Sequence, residues 1–392
     1  METTLTDART RAMTAAGLWR NESLLTYLDR WARTRPDKTA LVDGRGRLSW
    51  SELARAADRV AHGLRSHGVE PGRVISCQMP NWSETIVVFL AALRLGAVIN
   101  PIPPTYRARE VRFMLGLLES QVAVVPATFR GFDHAGLLAG LRPELPRLER
   151  VFVARGEGPA GTTPLRALID EAGEAREGRG EFPGTPPDAV HEVVFTSGTT
   201  GEPKGVMHTQ NTTLSTLHLA IERLDLTERD VLLMASTVGH QTGFLFGHCL
   251  NLLLGATTVW MDVWNVEEAA RLIEGQGVTF SMGATPFLRD LTYLETGRDR
   301  SSLRLFISAG APIPRALVRD ARERLGCVIS AGWGMTENGM VTCNGLRDDE
   351  EKIVGSDGSP LAGMELRIVG DDGAPGRPGG GGGLQARGAA QF

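Results

Sequence analysis

Residues 195–205, FTSGTTGEPKG, follow an apolar run, and no side chain in residues 196–201 is larger than threonine. Glycines let backbone N–H groups turn towards a ligand, and hydroxyls add further donors, so that such a loop forms an anion-binding nest. Lys204 adds a positive charge for a polyphosphate, and Pro203 stiffens the turn before it. The stretch therefore predicts a loop that holds the β- and γ-phosphates of a nucleotide.

Two other interpretations of this loop are weaker. A Walker A loop would need a glycine immediately before the lysine, where Pro203 stands. A solvated turn of glycine and threonine joining two strands is common, but a ten-residue string of this composition is not.

Helix and strand patterns alternate on both sides of the loop. The segment after Ser49 places apolar residues at helical spacing and begins with a capping box formed by Ser49 and Glu52. Short apolar runs such as VAVVPA and LRLFISAG predict buried strands between the helices. The alternation predicts an α/β protein with largely parallel sheets and helices on their faces.

Composition predicts four consecutive parts in the 392-residue chain. We expect a first α/β unit in residues 1–155 and a second, which contains the phosphate loop, in 191–345. Residues 156–190 are rich in Gly, Pro and Glu and predict a surface connection with one short helix. Residues 346–392 predict a β-rich tail, cut short after a run of five glycines.

Charge and cysteine usage exclude several classes of protein. A net charge of −4 lacks the basic excess of a nucleic-acid-binding protein. The four cysteines show no C-x-x-C spacing, which favours reduced thiols over disulfides or a zinc site. There is no apolar run of the ~18 residues that a spanning helix needs, and no signal-peptide pattern, so we expect a cytoplasmic protein.

Three motifs together resemble the adenylate-forming superfamily, which includes acyl-CoA synthetases, aryl-CoA ligases, peptide-synthetase adenylation domains and beetle luciferases. They are TSGTTGEPKG (196–205), SAGAP (308–312) and GWGMTE (332–337), with Trp333 where the family usually has tyrosine. The resemblance implies the large N-terminal domain of that family. Its expected fold is two mostly parallel, helix-flanked sheets with a small distorted β-barrel, without the C-terminal lid.

The resemblance also implies a nucleotide site for ATP or AMP with Mg²⁺. Thr336 would bond the α-phosphate, Glu337 and Thr200 would bind Mg²⁺, and Trp333 would stack on adenine. The expected nucleotide-binding residues are Thr196, Ser197, Gly198, Thr199, Thr200, Gly201, Lys204, Gly310, Ala311, Pro312, Gly332, Trp333, Gly334, Met335 and Thr336.

An acid-binding site is expected around TVGHQTGFLFGH (237–248), where His240 matches the family position beside the reacting carboxylate. Thr336, Glu337 and His240 are thus the expected catalytic residues. This segment lacks an aspartate to pair with a substrate ammonium, which disfavours an α-amino acid. A metal bound by His240 and His248 is disfavoured, because such histidines in an apolar segment usually serve packing. The expected substrate-binding residues are His240, Thr242, Gly243, Gly283, Phe287, Ser308 and Gly334.

The pattern GHQTGFLFG followed by GATPFLRDL is most similar to short- and medium-chain acyl-CoA synthetases and cyclohexanecarboxylate-CoA ligases. The expected reaction is ATP-dependent activation of a medium-chain, alicyclic or arylalkenoic acid to an acyl-adenylate, with transfer to CoA. Without the lid and its lysine, adenylation is expected to be slow.

Two alternatives stay open. One is an adenylating enzyme of secondary metabolism that uses another acceptor, such as a carrier-protein thiol, or that activates nitrite. The other is a lidless module that binds acyl-adenylates without catalysis. The expected partners are the acid, ATP and CoA, with no nucleic acid, and a homodimer is left open.

Overall fold

The computed structural model describes residues 5–171, 182–196, 202–370, 372–376 and 379–391. These residues form an α/β fold with two large sheets, as predicted. Its strands, in chain order, are β1 (Thr39–Asp43), β2 (Gly46–Ser49), β3 (Val74–Cys77), β4 (Val98–Pro101), β5 (Val122–Pro126), β6 (Thr128–Phe129), β7 (Phe132–Asp133), β8 (Arg150–Ala154), β9 (Thr163–Pro164), β10 (Val190–Thr196), β11 (Lys204–Thr209), β12 (Val231–Met234), β13 (Thr257–Trp260), β14 (Phe280–Gly283), β15 (Leu305–Ala309), β16 (Val328–Met335), β17 (Gly339–Cys343), β18 (Ser359–Pro360), β19 (Met364–Val369) and β20 (Gly383–Gly388).

The helices begin with the capping patterns expected from the sequence. At the start of α3, the Ser49 hydroxyl accepts from the Glu52 N–H at 3.3 Å, and the Glu52 carboxylate accepts from the Ser49 N–H at 2.8 Å. The α-helices are α1 (Asp7–Ala15), α2 (Leu24–Thr34), α3 (Trp50–Ser66), α4 (Ser83–Leu95), α5 (Ala108–Leu117), α6 (His134–Leu141), α7 (Leu165–Glu171), α8 (Gln210–Arg223), α9 (Leu250–Leu254), α10 (Val266–Gln276), α11 (Thr285–Tyr293), α12 (Arg315–Leu325) and α13 (Glu350–Gly355). A 3₁₀ turn (Arg142–Glu144) and a π-helical segment (Gly243–Cys249) complete the set. Within the described ranges, every helix is too short or too polar to cross a membrane.

Two sheets, mostly parallel, organise the molecule. The nine-stranded sheet has the order β18-β17-β16-β15-β14-β12-β13-β1-β2, and the seven-stranded sheet has the order β11-β10-β4-β3-β5-β8-β9. Antiparallel pairing is found towards their ends, in β1–β2, β16–β17–β18 and β10–β11. Helices cover both faces of each sheet, so the strands are buried on both sides and have the continuous apolar runs seen in the sequence.

A shared layer of helices packs between the two sheets. The largest apolar core joins α3, α4, α8 and the π-helical segment to the inner faces of both sheets. Helices α10, α11 and α12 cover the outer face of the nine-stranded sheet in a second core. Helices α5 and α6 cover the outer face of the seven-stranded sheet in a third core. The candidate site lies beside this shared layer, between β10–β11 of one sheet and β14–β17 of the other.

The sheets do not follow the expected boundaries at residues 155 and 191. Strands β1 and β2, from the first part of the chain, extend the nine-stranded sheet through β13. Strands β10 and β11, from the second part, extend the seven-stranded sheet through β4. Each part thus supplies an outer hairpin to the other part's sheet, an exchange that alternation along the sequence does not show.

Two smaller expectations also differ from the structure. The connection expected at 156–190 contributes the edge strand β9, which pairs with β8. In residues 346–392, where a β-rich tail is expected, the described residues form helix α13 in addition to the short edge strand β18 and an antiparallel ribbon of β19 and β20.

Candidate functional site

A cavity of about 420 Å³ opens where β10 and β11 of the seven-stranded sheet meet β14–β17 of the nine-stranded sheet. The π-helical segment closes its inner side. The cavity is lined by Thr196, Lys204, His240, Gln241, Thr242, Leu245, Phe246, Met282, Ala309, Gly310, Gly332, Trp333, Gly334, Met335, Thr336, Glu337, Gly339 and Met340. The three motifs singled out in the sequence therefore converge on one cavity.

The two ends of the glycine-rich loop lie at this cavity. Thr196 at the end of β10 is directly opposite Lys204 at the start of β11 in the antiparallel pair. Directly opposite residues point to the same face, so the hydroxyl and the ammonium side chain are presented together. The predicted ligands Ser197, Gly198, Thr199, Thr200 and Gly201 lie outside the described residues.

A tight turn between β16 and β17 presents Thr336 and Glu337, both half-exposed at the cavity. The buried Asn338 accepts at Oδ1 from the Met335 N–H at 2.9 Å and closes the turn. Gly339 has φ +60°, and a Cβ there would lie 2.9 Å from Thr216 of α8. A Cβ on Gly334 would overlap the carbonyl oxygen of Gly339. Two glycines and one asparagine thus fix the backbone of the turn from which the Thr336 and Glu337 side chains extend.

His208 of β11 forms a hydrogen bond with the backbone of the same turn. It is not among the site residues expected from the sequence. Its Nε2 lies 2.7 Å from the Thr336 carbonyl oxygen, and its Nδ1 lies 3.1 Å from the Thr212 hydroxyl. Burial lowers the pKa of His208 to about 4. The hydrogen bond to the Thr336 carbonyl raises the pKa, but by less than burial lowers it. The ring is therefore neutral at pH 7, with Nε2–H donating to Thr336. A lone histidine on a strand gives no sequence signal for this role.

His240 stands at the cavity with its side chain exposed. The Thr242 N–H donates to its Nδ1 at 3.3 Å, so the neutral ring carries its proton on Nε2. The walls of the cavity shield part of the ring from bulk water and so lower the pKa of His240, which favours this neutral form. Gly243 does not line the cavity: a Cβ there would overlap the Thr237 carbonyl, so glycine is needed to begin the π-helical segment.

Besides Gly243 and the loop residues, five further expected ligands do not line the cavity. Gly283 and Ser308 point to the outer face of their strands, whereas their neighbours Met282 and Ala309 line the cavity. Phe287 covers Gly283, 2.6 Å from where a Cβ would stand, and stacks on Trp264 with ring centroids 4.4 Å apart. Successive side chains of a strand alternate between faces, so a shift of one residue exchanges the inside for the outside. The other two, Ala311 and Pro312, are exposed beside Gly310 and lie outside the cavity lining.

A family model described as AMP-binding enzyme matches residues 28–392. The chain belongs to this family. It is 34% identical to a medium-chain fatty-acid–CoA ligase of Escherichia coli (strain K12), over 95% of this chain and 66% of that protein. It is 32% identical to a 2-hydroxy-7-methoxy-5-methyl-1-naphthoate–CoA ligase of Streptomyces carzinostaticus, over 92% of this chain and 66% of that protein. The chain thus spans just under two thirds of the length of these two relatives.

Solved structures agree with this assignment. The apo structure of MbtA from Mycobacterium smegmatis matches with a TM-score of 0.90 and 28% identity, over 100% of this chain and 71% of that one. An anthranilate CoA ligase in complex with anthranoyl-AMP matches with a TM-score of 0.87 and 25% identity, over 95% of this chain and 71% of that one. The resemblance to adenylate-forming enzymes is confirmed.

Next to the cavity of this AMP-binding domain lies a fully buried carboxyl group, Glu192 of β10. It stands on the same face as Thr196 and directly opposite His208. Neither carboxyl oxygen has a hydrogen-bond partner among the described residues, and the same holds for the amide of Gln241. Burial raises the pKa of Glu192 well above its usual value.

The Glu192→Gln variant is expected to melt at a higher temperature than the wild type, and the difference should be larger at pH 8 than at pH 5. The folded chain keeps the Glu192 proton while the unfolded chain releases it, so wild-type stability falls as pH rises above about 4.5 towards the raised pKa. Glutamine has the same shape and does not titrate. Calorimetric melts of both proteins at pH 5, 6, 7 and 8 measure the difference.

The matched control is Glu323→Gln, because Glu323 is exposed on α12. This variant removes one exposed carboxyl group and so controls for the loss of one negative charge. An equal pH dependence in the two variants would show that Glu192 is ionised in the folded chain.

Proposed function

We propose that this chain binds ATP and a hydrophobic carboxylic acid and forms the acyl-adenylate, which the full-length enzyme transfers to CoA. The observation that carries the proposal is the single cavity that brings together Thr196, Lys204, Thr336, Glu337 and His240. Leu245, Phe246, Met282 and Met340 give that cavity an apolar wall for the acyl chain. The named activities of the family relatives support the reaction class.

The chemistry requires alignment and charge neutralisation. A carboxylate oxygen attacks the α-phosphorus of ATP, the bond to the bridging oxygen breaks, and pyrophosphate leaves with the electron pair. No proton has to be removed, since a carboxylic acid is ionised at pH 7. His240 offers Nε2–H as a donor to the carboxylate, and Lys204 offers a positive charge to the phosphates.

The remaining residues hold the nucleotide. Thr336 lies at the cavity, and His208 fixes its backbone through a hydrogen bond to its carbonyl oxygen. The Thr336 hydroxyl would donate a hydrogen bond to the α-phosphate. Trp333 offers an aromatic face to adenine.

The side chains also fit Mg²⁺ bound together with ATP. No group of three potential metal ligands occurs in the described parts of the chain. This fits an ion that binds through one carboxylate, Glu337, and the substrate phosphates. Mg²⁺ would neutralise the charge that develops on the phosphates. We place the reaction in the cytoplasm, supported by four buried cysteines that form no disulfide.

Binding of non-hydrolysable acyl-adenylate mimics tests the proposal on this chain directly. Octanoyl- and cyclohexanecarbonyl-sulfamoyladenosine are expected to raise the melting temperature. A ligand at ~100 times its Kd stabilises the folded state by about 2.7 kcal/mol. Alanyl-sulfamoyladenosine should have little effect, because the apolar wall offers no charged partner for its ammonium group. Stabilisation by the alanyl compound alone would refute the substrate class, and no response to any mimic would refute the proposal.

A further inference from the structure

A second cavity, of about 580 Å³, lies at the other ends of the two sheets. It is lined by residues of β1, β2, α3, α4, β8, β9 and α7. Strand β2 is the last strand of the nine-stranded sheet, and β9 is the last strand of the seven-stranded sheet. The candidate site uses the opposite ends, around β16–β17 and β10–β11. The second cavity is therefore separate from the nucleotide site and contacts both sheets.

The floor of this second cavity is apolar. Val60 of α3, Val87 of α4 and Leu165 of α7 are part of the core between the sheets. Leu48 of β2 and Val153 of β8 extend the apolar surface to both sheets. An alkyl chain laid on this floor would remove apolar surface from water, at about 25 cal/mol per Å².

The wall carries a buried ionic network that joins the sheets. Arg155 donates to Asp43 Oδ2 at 2.6 Å and to Glu84 Oε2 at 2.7 Å, and its guanidinium lies 3.9 Å above the Trp82 ring. The side chains of Arg155 and Asp43 are only 10% and 4% exposed. These charges satisfy one another and give the cavity a rigid wall.

The rim, in contrast, carries arginines available to a ligand. Arg45 and Arg47, on the β1–β2 hairpin, are exposed, and neither forms an ion pair within the described ranges. Arg166 also lines the cavity and pairs with the exposed Glu157. In all, four arginines line the cavity against two carboxylates, those of Asp43 and Glu84. The rim thus has an excess of positive charge above an apolar floor.

We propose that this cavity is a second binding site, for an amphipathic anion of the medium-chain carboxylate class. Arg45 and Arg47 would hold the carboxylate, since guanidinium groups match carboxylates in a bidentate fashion. The alkyl chain would lie on the floor formed by Val60, Val87 and Leu165. A volume of about 580 Å³ is within the range of small-molecule sites, roughly 300–1,000 Å³. Inorganic phosphate or acetate would leave the floor empty.

Titration of octanoate by calorimetry tests the site. The protein is first saturated with octanoyl-sulfamoyladenosine to fill the nucleotide cavity. One further octanoate per chain is expected to bind. Octanol, which lacks the charge, and acetate, which lacks the chain, should each bind at least tenfold more weakly.

Variants locate the binding. The double variant R45E/R47E should weaken octanoate binding at least tenfold, since it removes the charge-assisted hydrogen bonds to the carboxylate and places like charges beside it. Ala56→Phe, which fills the cavity from α3, should also weaken it. Arg109→Glu makes the same type of charge change on the exposed surface of α5 and should leave binding unchanged. Octanoate binding that survives both R45E/R47E and Ala56→Phe would overturn the proposal, as would equal binding of octanol.

Hydrogen–deuterium exchange separates this proposal from the proposed function. Octanoate is expected to protect backbone amides in residues 43–48 and 153–166, whether or not the adenylate mimic binds. Protection confined to residues around 240–246 and 332–340 would place octanoate in the nucleotide cavity and overturn the second site.

Discussion

Replacing Gly334 with alanine is expected to lower the free energy of unfolding by about 3 kcal/mol and to abolish binding of the acyl-adenylate mimics. A Cβ at this position would overlap the carbonyl oxygen of Gly339, which belongs to the backbone and cannot move away as a rotamer. The turn between β16 and β17 would have to open, and Thr336 and Glu337 would leave the cavity. Chemical denaturation and calorimetric titration of the mimic measure the two effects.

The matched control is Gly275→Ala. Gly275 lies inside α10, and no atom outside the helix comes within 4 Å of the position that its Cβ would take. Alanine there should be neutral or stabilise the chain by about 0.5–1 kcal/mol. If Gly334→Ala were as stable as the control, the carbonyl oxygen of Gly339 could not lie as close to Gly334 as it does in the structure.

Replacing Trp333 with alanine is expected to weaken AMP binding by about 10- to 100-fold. Stacking of a base on an aromatic side chain contributes about 1–3 kcal/mol, and Trp333 is the aromatic residue that the β16 motif places at the cavity. Tyrosine also has a face for stacking, so Trp333→Tyr should retain most of the affinity. Calorimetric titration of AMP gives all three dissociation constants, with melting temperatures to confirm folding.

Stacking predicts that AMP binds to the wild type and to Trp333→Tyr with similar affinity and to Trp333→Ala much more weakly. Equal affinities in wild type and Trp333→Ala would mean that adenine binds elsewhere. A Trp333→Tyr variant as weak as Trp333→Ala would mean that the indole acts by its size or its N–H group and not by stacking.

The nucleotide side of the cavity was largely predictable from sequence, because its residues come from short continuous motifs. GWGMTE places Gly332 to Glu337 on one strand end and turn, and all six line the cavity. Local chemistry determines these positions: glycines where backbones approach closely, and hydroxyl or carboxylate groups beside them.

The acyl side was predicted less well, for a physical reason. Strands β14 and β15 are buried on both faces, so their sequences lack the alternation of apolar and polar residues that would show which face is inside. Gly283 and Ser308 are therefore one residue out of phase with Met282 and Ala309, which line the cavity. His208 acts through contacts with α8 and with the turn between β16 and β17, and Glu192 is buried by residues distant in the sequence. Sequence spacing reveals neither.

The exchanged hairpins have a consequence for synthesis of the chain. Leu41 of β1 pairs with Thr258 of β13, so the N-terminal hairpin leaves the ribosome roughly ten to forty seconds before its partner, at about 5–20 residues per second. During that interval Ala40, Leu41 and Val42, which are buried in the finished molecule, stay in contact with water. An apolar strand with an unpaired edge favours aggregation. Expression should therefore depend on chaperones that bind this early segment, and neither half of the gene expressed alone should yield a complete sheet.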